Sequence, residues 1–394
     1  MKRSGAVVAI VLLGMYIAGC GQDRPTAVAV PAVPPTATAM PIPSATSLPV
    51  TASSAAQELR TATRTPRSIA QEIDIYLNSL TETNSFTGAV LVARDNQIIL
   101  SEGYGFSNRD QNIPNTSHTR FRICSITKQF TAMGILILQD QGKLSVDTRI
   151  CDFLPQCPTA WRAITVHHLL THTSGIPDFT DLPDYESTKS LPSSPLQTIA
   201  RFQDMPLQFE PGDRWSYSNS GYIILGYLIE QVSGQPYDDF IQGNIFSPLQ
   251  MNDSGYDHNL DIIATGYTGI GSQWAEAHYI DMSIPYSAGA LYSTVEDMYR
   301  WDQALYTERL IPQKLLDKMF TPYASSPIGD FGYGWIVSEK HLRPVIRHGG
   351  GGDGFVALIE RYPNDRVTLI ALSNRETTDI GMITDAIAEM VFGE

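Results

Sequence analysis

Phe121-Arg-Ile-Cys-Ser-Ile-Thr-Lys-Gln-Phe-Thr-Ala132 contains the stretch on which the reading of this chain turns, Ser125-Ile-Thr-Lys128, and it runs on into the apolar segment Met133–Leu138. The change from strand-like to helical residues places Ser125 at the start of a helix. Unpaired N–H groups there favour developing negative charge. A lysine three residues on shares the helical face, one turn along, so its nitrogen reaches the serine oxygen. That is the geometry of an activated nucleophile. No other lysine in the chain follows a serine at this spacing.

Two further elements follow in order, Tyr217-Ser-Asn219 and His348-Gly-Gly350. Tyr-x-Asn also occurs at Tyr76-Leu-Asn78 and Tyr362-Pro-Asn364, but only the 217–219 copy lies between the serine and the glycine-rich strand. With ITVHHLLTHTSGIP (164–177), PGDRWSYSNSGYIILGYLIEQVSG (211–234), SAGALYSTVEDMYRW (287–301) and RHGGGGDGF (347–355), the sequence resembles the serine β-lactamase and penicillin-binding superfamily, in its class C β-lactamase-related branch. The resemblance spans roughly Ser68 to Gly393. It implies Ser125 as acyl-accepting nucleophile and Lys128 as proton acceptor. It implies that Tyr217 exchanges protons with nucleophile and leaving group, and that Asn219 orients lysine and substrate. Gly350 and Gly351 line the substrate site, and the N–H groups of Ser125 and Gly351 form the oxyanion hole. No cofactor is implied.

His348 departs from the lysine of true β-lactamases and transpeptidases, and Gly349 from their hydroxyl residue. A fixed cation becomes an imidazole that is roughly neutral at pH 7, so recognition of a substrate carboxylate is weakened. The titration of His348 is expected to make turnover pH-sensitive. An ester or peptide-like amide, cell-wall fragments included, is the expected substrate. A β-lactamase or D-Ala-D-Ala carboxypeptidase is the alternative enzyme, and a catalytically silent cell-wall- or penicillin-binding protein the alternative of another class.

Strand patterns at Gly88–Ala93 and Gln97–Ser101, and again from Gly334 to Leu372, flank a mostly helical middle. An N-terminal helix over Ser68–Leu80, with Ile69, Ile73, Ile75, Tyr76 and Leu80 mostly on one face, and a C-terminal helix over Asp379–Phe392 close the pattern. The expected class is α+β: an antiparallel sheet flanked by terminal helices (68–143 and 327–393), interrupted by a mostly helical lobe (144–326).

Ahead of this catalytic domain (68–393), residues 1–19 read as a lipoprotein signal peptide. Lys2 and Arg3 precede the apolar run Gly5–Ala18, and Ile17-Ala-Gly-Cys20 resembles a lipobox with Cys20 as the lipid attachment point. An ordinary cleaved signal is the alternative. Residues 20–67, rich in Pro, Thr, Ala and Ser, lack the large apolar residues of a core and read as a disordered tether, reaching roughly 35–40 Å on average. The expected location is extracytoplasmic, lipid-anchored at the cell membrane.

With 27 Lys and Arg against 41 Asp and Glu, the net charge of −14 argues against nucleic acid as partner. Oligomeric state is not readable. Cys151 and Cys157 are a candidate disulfide in an exported protein, with two free thiols the alternative. Cys124 reads as a small apolar residue under the helix start. His168 and His172, four apart, suggest a metal pair only weakly, because no third ligand accompanies them; no metal is expected.

Overall fold

The protein is described by a computed structural model, which covers residues 68–269 and 273–393. The leader, Cys20 and the 20–67 tether lie outside the described residues.

The chain builds one eight-stranded antiparallel sheet. Its strands are β1 (Gly88–Arg94), β2 (Gln97–Tyr104), β3 (Ala324–Ser326), β4 (Gly329–Phe331), β5 (Ile336–Lys340), β6 (Arg343–Gly352), β7 (Phe355–Tyr362) and β8 (Val367–Ser373). The spatial order is β3-β4-β5-β6-β7-β8-β1-β2. Strand β1 pairs with β8 in register from Gly88↔Ser373 to Arg94↔Val367. The two ends of the domain therefore meet inside the sheet, with only β2 beyond them.

Alternation along the strands divides two cores. Ala89, Leu91, Ala93, Ile370 and Leu372 face the helical lobe. Val90, Val92, Val367, Leu369 and Ala371 face the terminal helices α1 (Ile69–Glu82) and the C-terminal helix Ile380–Phe392. Strands buried on both faces read as continuous apolar runs, as GAVLVA and VTLIAL do. On α1 the buried residues are Ile73 and Leu77, while Ile75 is 46% exposed. Ile69, Tyr76 and Leu80 pack against this second core as expected; Ile75 alone turns outward, and Leu77, one turn from Ile73, is buried as well. Ser68 caps α1 in a reciprocal pair with Gln71.

Helix α2 (Thr127–Asp140) is buried around its whole circumference from Thr127 to Leu138. A helix buried on every side runs through the middle of a core. Helix α3 (Asn219–Ser233) packs beside it and ends at Gly234 in the left-handed conformation. The middle lobe is less purely helical than expected. A small sheet joins Phe121–Arg122, Leu291–Ser293 and Gly255–Tyr256. Strands β3 and β4 were not anticipated, and β3 begins before residue 327, so the lobe boundary shifts. Both are short pieces at the sheet edge, where length and hydrophobic alternation are weakest. Cys151 and Cys157 are joined by a disulfide, with Cα atoms 5.2 Å apart. Among the described residues no helix is long and apolar enough to cross a membrane.

Candidate active site

Ser125 sits in a 3-10 turn, Cys124–Ile126, that leads directly into α2. Cys124 holds φ +48°, a left-handed backbone that an L-residue adopts at a cost of about 1–2 kcal/mol. The turn is therefore held by its surroundings. Strand β5 stops pairing with β6 at Ile336↔Arg347, whereas β6 continues beside β7 to Gly352↔Phe355. The Ser125 turn lies against this extension. A Cβ at Gly350 would stand 2.3 Å from the Ile123 carbonyl oxygen and 3.0 Å from the Ser125 nitrogen. Only glycine lets strand and turn approach so closely. A Cβ at Gly351 would meet nothing within 4 Å, so that residue faces open space.

The functional side chains converge here from distant segments. Lys128 is fully buried. Its Nζ lies 3.1 Å from Ser125 Oγ, 2.8 Å from Asn219 Oδ1 and 2.9 Å from the Ala288 carbonyl oxygen. The Tyr217 hydroxyl donates to Ser125 Oγ at 3.0 Å. Burial pushes Lys128 down to about 7, partly opposed by Asp178 and Cys124. Near neutral pH the amine is therefore substantially populated. Burial raises the Tyr217 phenol above its ordinary value, with the Ser125 hydrogen bond pulling the other way.

The two N–H bonds of a neutral Lys128 have fixed destinations. The Ala288 carbonyl can only accept, and so can the Asn219 oxygen. The nitrogen lone pair is then left for the Ser125 hydroxyl proton. Asn219 begins α3, and its side-chain Nδ2 and backbone N both donate to Asp178 Oδ2, at 2.8 and 3.0 Å.

His348 is buried, and its Nδ1 lies 2.6 Å from the Gly349 carbonyl oxygen. Donation to that carbonyl makes Nε2 an acceptor. Burial and the charge of Lys128 push His348 down to about 3. His348 is thus uncharged at pH 7, as expected, but the expectation that its titration makes turnover pH-sensitive is corrected: it stays uncharged across the working range, and Lys128 is the group that titrates there.

Cys124 is buried, and burial raises its thiol to about 12, so it is a packed side chain and not a thiolate. The helix Val166–Leu170 ends before His172, which has φ +57°. His168 and His172 therefore do not share a helical face. His168 Nδ1 accepts from the Thr165 N–H at 3.1 Å, and His172 Nδ1 from the Ser218 N–H at 3.1 Å. Among the described residues no cluster of three His, Cys, Asp or Glu side chains is arranged to hold a metal.

Sequence reasoning brought together Ser125, Lys128, Tyr217, Asn219, His348, Gly350 and Gly351, and missed Asp178, Ala288 and the contact of His172 with the Tyr217 segment. Asp178 directly follows the family-like segment 164–177. A carboxylate just after such a segment was the available signal.

The fold and this site define a class: a serine hydrolase of the β-lactamase and penicillin-binding superfamily. Residues 75–391 match the beta-lactamase family, and the chain belongs to it. It is similar to a penicillin-binding protein of Bacillus subtilis (strain 168), 28% identical over 347 residues, which cover 82% of this chain and 76% of the relative. The fold matches the crystal structure of a penicillin binding protein from Bacillus halodurans at 30% identity and TM-score 0.71, over 80% of this chain and 99% of that one. It also matches an octameric penicillin-binding protein homologue from Pyrococcus abyssi at 26% identity and TM-score 0.73, over 82% and 77%.

Proposed function

We propose that this protein is an exported, lipid-anchored hydrolase that cleaves an ester or peptide-like amide, cell-wall-derived substrates included, through an acyl-enzyme at Ser125. The observation that carries this is the Lys128 nitrogen 3.1 Å from Ser125 Oγ with its other two contacts both acceptors. Lys128 takes the serine proton as Oγ attacks the carbonyl carbon. The N–H groups of Ser125 and Gly351 receive the oxyanion, a contribution of about 2.7–4 kcal/mol per donor. Tyr217 gives its proton to the departing amine or alkoxide. The Lys128 ammonium, 4.9 Å from the Tyr217 ring centroid, stabilises the phenolate left behind. Water then attacks the ester carbonyl, giving a proton to Tyr217; as the acyl–Oγ bond breaks, the Lys128 ammonium, 3.1 Å away, returns its proton to Ser125 Oγ, and the acid product leaves.

The neutral His348 supports esters and uncharged amides over substrates that need a carboxylate anchored by a cation. Lys189 does not fill that role, because it is bonded to Asp353 and Glu186 at 2.6 and 2.8 Å. Names of relatives keep β-lactam acylation as the second reading. Wild type and Ser125→Ala are to be labelled in parallel with a fluorophosphonate and a fluorescent penicillin. Fluorophosphonate labelling lost in the variant supports the proposal. Equal labelling of both removes Ser125 from it. Strong penicillin labelling with slow release favours the second reading.

Export and anchoring rest on the leader sequence and Cys20. Full-length wild type expressed in a bacterium is expected in the detergent phase, and Cys20→Ser in the soluble or unprocessed fraction. Identical fractionation of the two overturns the anchor.

A further inference from the structure

We infer that Asp178 is a positioning residue that locks the Asn219 amide with its oxygen, and not its NH2, toward Lys128. This rests on the proposed reading of Lys128 as proton acceptor.

Asp178 is buried, 8% exposed. Its carboxylate is held by three N–H donors: Thr180 N on Oδ1 at 3.0 Å, and Asn219 N and Nδ2 on Oδ2 at 3.0 and 2.8 Å. An ionised carboxylate only accepts. The amide edge turned toward it must therefore be the NH2. That leaves Oδ1 as the atom 2.8 Å from Lys128 Nζ. The consequence reaches the nucleophile. With Oδ1 of Asn219 and the Ala288 carbonyl taking its two hydrogens, the amine has one lone pair and one place to direct it, the Ser125 hydroxyl. Were the amide reversed, its NH2 would donate to that lone pair and compete with Ser125.

The carboxylate also acts on Lys128 by charge, raising its proton affinity against the downward push of burial. Other titratable groups act in the same space: Cys124 on the 3-10 turn, Tyr217 just before α3, Tyr222 in its first turn, His172 after the Val166–Leu170 helix, and His348 on β6. Each is shifted in the direction that keeps it uncharged at neutral pH. The anionic influence on Lys128 is therefore that of Asp178.

The test is the pH dependence of kcat/KM for a p-nitrophenyl ester in wild type, Asp178→Asn and Asp178→Glu, with thermal melts of each. Removing the carboxylate makes the ammonium less favourable, so the acid limb of Asp178→Asn is expected to move down by about one pH unit. Its plateau is expected to fall about a hundredfold, because the amide can now reverse. Asp178→Glu keeps the charge but not the reach: its limb stays near the wild-type position and its kcat falls. An Asp178→Asn limb at the wild-type pH, with activity lost only in proportion to a lowered Tm, overturns the inference and leaves Asp178 as a cap. If Asp178→Asn does not fold, an Asp178→Glu enzyme with wild-type kcat overturns it instead. Lys128→Arg separates the two levels of argument, since arginine has no accessible neutral form. Turnover that survives it overturns the parent reading. Turnover lost with it, beside an unmoved Asp178→Asn limb, overturns only the role of Asp178.

Discussion

The imidazole of His172 stacks on the ring of Tyr217, with centroids 4.4 Å apart and planes inclined by 26°. The same imidazole accepts the backbone N–H of Ser218, the next residue. Ring and backbone of the tyrosine segment are thus fixed by one side chain, which stands behind the phenol that reaches Ser125. His172 is pushed well below its ordinary value by burial first, then by Lys128 and His348, so it does this uncharged.

His172→Phe keeps the stack and loses the hydrogen bond; His172→Ala loses both. The expected order of kcat is wild type, then Phe, then Ala, with KM for a small ester changing little. A misplaced proton donor costs up to about a hundredfold. Steady-state kinetics on the three proteins check this, and equal kcat in all three removes His172 from the positioning of Tyr217.

The acid limb of kcat/KM is expected to have its midpoint near 7, where Lys128 loses its proton. The sign follows from the role. The reactive form is the neutral amine, so activity rises with pH through that value and falls about tenfold per unit below it. His348, at about 3, adds no inflection between pH 4 and 6. A second inflection in that interval that vanishes in His348→Gln would refute the uncharged histidine.

Gly350→Ala is expected to reduce turnover by about a hundredfold or more, because a methyl group 2.3 Å from the Ile123 carbonyl oxygen must displace the Ser125 turn. Gly351→Ala, with nothing within 4 Å of the added carbon, is expected to keep most activity and its N–H donor. Comparing kcat and Tm for the pair distinguishes close approach from a general intolerance of side chains.

His348→Lys combined with Gly349→Thr restores a cation and a hydroxyl on β6. The ratio of kcat/KM for nitrocefin over a p-nitrophenyl ester is expected to rise in the double variant. Wild-type nitrocefin turnover at or above about 10⁴ M⁻¹s⁻¹, a rate in the range of competent enzymes, would rank β-lactam hydrolysis first.

Much of the fold was legible in the sequence because strand and helix periods are local properties. The runs at Gly88–Ala93, Phe355–Tyr362 and Val367–Leu372 and the apolar stretch Met133–Leu138 of α2 announce themselves within a few residues. Edge strands β3 and β4 do not, since three-residue pieces carry too little alternation to register. The Ser125–Lys128 pair was readable for the same reason as the helices: a single local turn, the 3-10 turn running into α2, sets its spacing. What the chain alone could not supply were partners brought from far away. Asp178 lies 41 residues from Asn219, and Ala288 160 residues from Lys128. Nor could it supply the burial that lowers Lys128 to about 7 and His348 to about 3. Residue types and their order name the chemistry, but desolvation and the direction of each hydrogen bond depend on what packs against a side chain in three dimensions. The sequence by itself therefore determined which groups react, and the tertiary structure decided which of them holds a proton and toward which atom its lone pair points.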